Sequence, residues 1–288
     1  MKEFISNIIR DLKKNKGAYV SFVFISFLIL IAIFAPILAP YSPAEIHEGK
    51  LRLPPSFIID GDKNFILGTD DLGRDLLSRL IYGSRISLAV GLCVVLISTS
   101  IGTILGTISG YYGGWVDKIL MRMTDLIMAL PSILFAIVVV AITGPGIINA
   151  ILAVSLVAIP NILKIIRAQV MSEKHKQYVM AQKLIGASDL KIMFKEILPN
   201  CLAPLIVQAT LGFSDGILNC AALGFLGLGA QAPMPEWGVM LSDARSFIES
   251  GPWMVALPGL CIFLVVIAFN ILGDGLRDAL DPRLKKQH

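Results

Sequence analysis

Six apolar runs, each about as long as a bilayer is thick, constrain this chain more than any other feature. They lie at roughly 18–40, 86–110, 119–142, 147–166, 200–230 and 253–273. A helix needs about 20 predominantly apolar residues to cross a bilayer core. Lipid offers no partners to backbone N–H and C=O groups, so such runs fold as helices that satisfy those groups internally. Composition agrees, because 55% of the 288 residues are hydrophobic and only 16% are charged. The mean hydropathy of +0.75 also lies far above that of a soluble domain. The expected fold class is all-α, a polytopic membrane protein with six transmembrane helices, and an even number of crossings leaves both ends on one side.

Lysines and arginines indicate which side that is. Lys2, Arg10, Lys13, Lys14 and Lys16 precede the first run; Arg167, Lys174, Lys176, Lys183, Lys191 and Lys195 follow the fourth; Arg283, Lys285 and Lys286 end the chain. The loop at Thr143–Gly146 has no basic residue, and the one after the fifth run has only Arg245. Positive loops stay in the cytoplasm, which places both termini and the 167–199 loop inside. The expected organisation is a cytoplasmic segment at 1–17, a first transmembrane helix at 18–40 and an external segment at 41–85. A five-helix core at 86–273, containing the 167–199 loop, and a cytoplasmic tail at 274–288 complete it. The net charge of +4 reflects this topology and gives no support to a nucleic-acid partner; membrane lipid is the surroundings. The first apolar run exceeds the 7–15 residues of a signal-peptide core and reads as a retained anchor.

The external segment begins irregularly, with Pro43, Pro54, Pro55 and the turn Asp60-Gly61-Asp62. From Asp70 the pattern changes. Asp70 can cap a surface helix with Leu72, Leu76, Leu77, Leu80 and Ile81 on one face and Arg74, Asp75, Ser78 and Arg79 on the other. Two readings compete: a helix that fixes the start of the second span, or a docking face for an external partner carried by Asp70, Arg74 and Asp75. In the second span, Gly102, Gly106 and Gly110 share one face, as close helix packing requires. Arg122 and Asp125 sit three apart on the third span and read as a structural ion pair. Asp215, with Asn219 one turn later, lies mid-span in the fifth run, where a carboxylate marks either a translocation pathway or a hydrogen bond to a neighbouring helix. Gly224, Gly227 and Gly229 beyond it suit tight packing against a partner's helix.

Enzyme signatures are missing. There is no G-x-x-x-x-G-K-[ST] phosphate loop, no H-E-x-x-H and no C-x-x-C, and His47, His175 and His288 are scattered. Cys93, Cys201, Cys220 and Cys261 fall in or beside spans without metal-ligand spacing. No metal site is expected.

One polar island interrupts the apolar chain: YVMAQKLIGASDLKIMFKEILPN, Tyr178 to Asn200. It reads as a short amphipathic helix, a turn at Gly186-Ala187-Ser188-Asp189, and a second short helix stopped by Pro199. This segment resembles the cytoplasmic "EAA" loop of permease subunits in binding-protein-dependent ABC importers, a pattern of E-A-A, three residues, Gly, nine residues and I-x-L-P. Ala181, Gly186, Leu198 and Pro199 fall in register, while Met180 and Gln182 replace the glutamate and an alanine, and Glu196 the isoleucine. LGTDDLGRDLLSRLIYGSRISL at 67–88, GFLGLGAQAPMPEWGVMLSDA at 224–244 and AFNILGDGLRDALDPRL at 268–284 are similar to the peptide and nickel branch of that family, so the resemblance covers essentially the whole chain.

The resemblance implies a type I importer permease in a bacterial inner membrane. It would be non-catalytic and paired with a homologous second permease, two cytoplasmic ATPases that bind the ATP and Mg, and an external peptide-binding protein. Met180, Ala181, Gln182, Gly186, Ala187, Ser188 and Asp189 would form the coupling element seated on an ATPase. The implied cargo is dipeptides or small peptides, with nickel, metallophore, haem or longer peptides as alternatives. From another class, an ion-coupled secondary transporter would use Asp215, although no internal repeat of the kind such proteins carry is evident.

Overall fold

The computed structural model describes residues 15–280. Lys2, Arg10, Lys13, Lys14, Arg283, Lys285 and Lys286, on which the placement of the termini partly rests, lie outside the described residues. The elements in order are α1 (Lys16–Ile33), α2 (Ala35–Leu38), α3 (Leu76–Tyr112), α4 (Gly114–Met128), α5 (Ser132–Thr143), α6 (Ile147–Glu173), α7 (Gln177–Leu184) and α8 (Asp189–Lys191). A π turn (Ile192–Ile197) and a 3-10 turn (Leu198–Cys201) then lead into α9 (Leu202–Phe225), followed by α10 (Trp237–Ala244) and α11 (Pro252–Leu280). The protein is all-α among the described residues, with one isolated bridge between Thr69 and Asp75.

Five helical segments are long and apolar enough to cross a membrane, and α4 with α5 makes a sixth, bent by 92°. The bend falls at Leu130-Pro131, because proline has no N–H to donate and disfavours helical geometry in the residue before it. The pair nevertheless crosses the whole bundle. Its start adjoins Gly110, whose carbonyl accepts from Lys174 Nζ at 2.8 Å, and Gly146 just beyond its end donates to Leu228 O at 3.2 Å. Lys174 and Leu228 belong to opposite ends of the bundle, so the count of six crossings holds, with a break where an unbroken third span at 119–142 was expected.

Packing is tightest between α3 and α6. A Cβ on Gly106 would lie 2.7 Å from the carbonyl oxygen of Leu163, and one on Gly110 would lie 2.8 Å from that of Arg167. The small face Gly102, Gly106 and Gly110 therefore lets two backbones touch, as the spacing predicts. Arg167 crosses this seam to pair with Asp117 on α4 through two nitrogens, and Ser109 also donates to Asp117.

Four local expectations are corrected. There is no separate surface helix from Asp70, because α3 begins at Leu76 and runs 37 residues, about 55 Å. Its cap is Asp75, which accepts from Ser78 N at 2.8 Å, and Asp70 lies in the preceding loop. Pro199 does not stop the second short helix: it is the second residue of the 3-10 turn Leu198–Cys201, early enough that its missing N–H costs little, and the chain winds on into α9. Asp125 pairs with Lys164 at 3.1 Å, not with Arg122, because α6 packs beside α4. Gly224 packs inside this chain, where a Cβ would come within 2.7 Å of Glu236 Oε2, and α9 ends at Phe225 before Gly227 and Gly229.

Candidate functional site

The polar island forms a stapled elbow at one end of the bundle. α7 closes in a Schellman turn: Ala187 N donates to Gln182 O at 3.0 Å and Gly186 N to Lys183 O at 3.1 Å. This requires a left-handed residue, and Gly186 supplies it with φ of +77°. Val179, Ile192, Met193 and Ile197 are buried against Tyr111, Ile162, Ile166 and Val170 from the ends of α3 and α6. Polar staples add to this packing. Tyr111 Oη donates to Asp189 Oδ1 at 2.6 Å, Lys183 Nζ sits 5.1 Å above the Tyr111 ring, and Tyr178 Oη donates to Glu173 Oε2 at 2.8 Å. Burial, with that bond to Glu173, pushes the Tyr178 hydroxyl up to about 12.

The outward side of this elbow is apolar and uncovered. Leu184 is 88% exposed, Ile185 75%, Leu190 66% and Met180 52%. Of the expected coupling residues, Met180, Ala181, Gly186, Ser188 and Asp189 are exposed, and Gln182 and Ala187 are half-buried. Asp189 reaches back to Tyr111 and so ties the elbow to α3. Leu184, Ile185 and Leu190, which sequence reading passed over, dominate the exposed face. Their signal was present: large apolar side chains directly on either side of the Gly186 turn.

Asp215 and Asn219 are brought together at a cleft of about 240 Å³ between α3, α6 and α9, which Ser98, Thr99, Asn161 and Gln208 also line. Asn219 Nδ2 donates to the backbone oxygen of Asp215 at 2.8 Å, and among the described residues the Asp215 carboxylate has no hydrogen-bond or ion-pair partner.

At the opposite end, Asp70, Arg74 and Asp75 do not form a docking face. They are 6%, 4% and 1% exposed, and they point inward. Asp70 accepts from Arg74 Nε at 2.6 Å and from the backbone of Leu72 and Arg74, and it pairs with Arg79 at 3.3 Å. Asp243 on α10 faces both guanidiniums, 3.7 Å from Arg74 and 3.8 Å from Arg79. Burial pushes the Asp243 carboxyl up, and the two arginines oppose that shift. Beside this network Trp237 donates from Nε1 to Leu80 O at 3.2 Å, and Glu236 caps α10 through Val239 N at 3.0 Å. The cluster clasps the loop before α3, the start of α3 and α10 together. Sequence reading missed Arg79, Asp243, Glu236 and Trp237 as members, because their partners are distant in the chain.

Residues 102–286 match the family described as binding-protein-dependent transport system inner membrane component. Residues 3–55 match the N-terminal TM domain of oligopeptide transport permease C. The chain is 56% identical over 274 residues to the dipeptide transport system permease protein DppC of Escherichia coli K12, covering 95% of this chain and 91% of that one. It is 52% identical to the DppC of Haemophilus influenzae, covering 95% and 93%. Identity to the glutathione transport system permease protein GsiD of another Escherichia coli strain is 43%, covering 96% and 89%. Among solved structures, an inward-facing MetNI methionine ABC transporter chain superposes with a TM-score of 0.57 at 17% identity, covering 72% of this chain and 98% of that one, a likeness of fold. With its fold, its elbow and these matches taken together, the chain belongs to the family of multi-pass inner membrane components of binding-protein-dependent transport systems.

Proposed function

We propose that this chain is one permease subunit of an ATP-driven importer of dipeptides or similarly small peptides, working by alternating access without chemistry of its own. The observation that carries the coupling reading is the elbow at 177–191, stapled to α3 and α6 on its inner side and apolar and uncovered on its outer side. A rigid element with an unfilled apolar face is suited to seat in a groove of another protein and to pass displacement into the helices behind it. The partner seated there is a cytoplasmic ATPase, one of two, which binds ATP and Mg; a homologous second permease completes the pathway, and an external binding protein delivers the peptide. The positive charge on the 167–199 loop and at both termini supports a cytoplasmic location for these parts. The cargo reading rests on the dipeptide permeases at 52–56% identity.

In this scheme Met180, Ala181, Gln182 and Gly186 to Asp189 present the elbow, and closure of the ATPases drives it against α3 and α6. Reconstitution in proteoliposomes tests the proposal. Labelled dipeptide should accumulate only when the second permease, both ATPases, binding protein and ATP are present. Uptake by this chain alone under an ion gradient would instead establish a secondary transporter.

A further inference from the structure

The cleft at Asp215 has a chemical bias that its residue types alone do not reveal, and the inference drawn from it rests on the peptide-importer reading. Of the six hydroxyl and amide side chains that line it, Ser98, Thr99 and Asn219 spend a donor inside the protein, whereas Ser132, Asn161 and Gln208 form no hydrogen bond among the described residues. Ser98 Oγ donates to Val94 O at 2.7 Å, Thr99 Oγ1 donates to Val95 O, and Asn219 Nδ2 donates to Asp215 O. Ser98 and Thr99 then offer the cleft oxygen lone pairs, and Asn219 offers its side-chain oxygen and one remaining N–H. The Asp215 carboxylate adds two more acceptor oxygens and the negative charge. No Lys, Arg or His is among the residues lining the cleft, so among the described residues this charge has no counter-ion.

A carboxylate without a counter-ion, flanked by the free oxygens of Ser98, Thr99 and Asn219, is complementary to a group that is all donor and positive. A primary ammonium, with three N–H bonds and no lone pair, fits that description. We infer that Asp215, with Asn219, Ser98 and Thr99 around it, binds the α-ammonium group of the peptide during translocation. Asn161 and Gln208 form no hydrogen bond among the described residues, so they keep donors and acceptors for the first peptide bond. Among the residues that line the cleft the peptide's carboxylate finds no positive partner. The cleft therefore discriminates peptides with a free amino terminus from those whose amine is acylated, independently of any selection by the binding protein.

The test uses the complete, nucleotide-free transporter in detergent, without binding protein, so that only the permeases select. An Ala158→Cys variant places a thiol on the cleft wall at a residue with no binding role, and its alkylation is followed at that residue by mass spectrometry with dialanine or N-acetyl-dialanine added. Dialanine should slow alkylation and the acetylated peptide should not. Asp215→Asn should raise the half-protecting dialanine concentration about tenfold, the change expected from losing one charge-assisted hydrogen bond. Asp215→Glu should restore most of the protection. Equal protection by both peptides, protection unchanged in Asp215→Asn, no protection by dialanine, or equal protection by sodium chloride at matched ionic strength would each overturn the inference. ATP-driven uptake by the unaltered assembly is scored separately: its absence overturns the importer reading, and its presence beside any of those four results overturns only the assignment of the ammonium.

Discussion

At the end of the bundle that the proposed topology places outside, the outer end, Arg74 and Arg79 lie buried between Asp70 and Asp243, and Trp237 is 1% exposed beside them. At the inner end, Leu184 and Ile185 stand almost fully in the open on a loop whose staples all point the other way. The outer end satisfies its charges within one chain; the inner end leaves its apolar groups without partners. A buried ion network is held only while every member is present, because a charge stranded in a dry site is costly. An uncovered apolar face has the opposite requirement, since it is satisfied only by something that arrives from outside. The contrast assigns the outer end to fixed architecture and the inner end to exchange with a partner.

Three substitutions probe that contrast, in order of expected effect. Arg79→Met removes one of two guanidiniums from the outer clasp and leaves Asp70 and Asp243 short of charge, so unfolding in detergent should be easier by about 3–5 kcal/mol. A loss below about 1 kcal/mol would mean that the clasp is wet and structurally minor. Gly186→Val acts at the inner end. Open space surrounds the missing Cβ, so the only penalty is the positive φ, worth about 1–2 kcal/mol at the elbow. Membrane insertion and amount should be normal while ATP-dependent uptake falls, and normal uptake at normal protein level would remove the elbow from the coupling path. Tyr111→Phe cuts the staple to Asp189 with little change of shape and should cost about 0.5–1.5 kcal/mol, seen as faster hydrogen exchange at 187–192 with the outer end unchanged.

The staple at Tyr178 adds a pH window. Its folded-state pKa lies above the ordinary tyrosine value of 10.0, so the stabilisation is complete below about pH 10 and is lost as pH rises through about 12. Near neutrality the elbow should therefore be insensitive to pH on this account.

The two ends were also unequally legible in the sequence. Span number followed from run length alone, and the turn at Gly186 followed from a single glycine between two short amphipathic stretches, because both are local properties. The Asp215 and Asn219 pair was legible for the same reason, being one helical turn apart. The outer clasp was not. Arg74 and Arg79 look like solvated residues on a surface helix until Asp243, far along the chain, is folded against them. Lys164 took Asp125 from Arg122 for the same reason, since a partner on another helix leaves no mark in local spacing. The break at Pro131 was visible as a proline, but run length outweighed it. At Pro199 the reverse happened: a proline that reads as a stop sits at the second position of a turn that tolerates it.

Hydrogen exchange on the assembled importer, compared with the two permeases without ATPases, tests the central claim most directly. The account predicts that adding the ATPases protects amides across 177–191 and leaves those at 70–79 and 236–244 unchanged. An assembly that hydrolyses ATP and imports peptide while 177–191 gains no protection would contradict it.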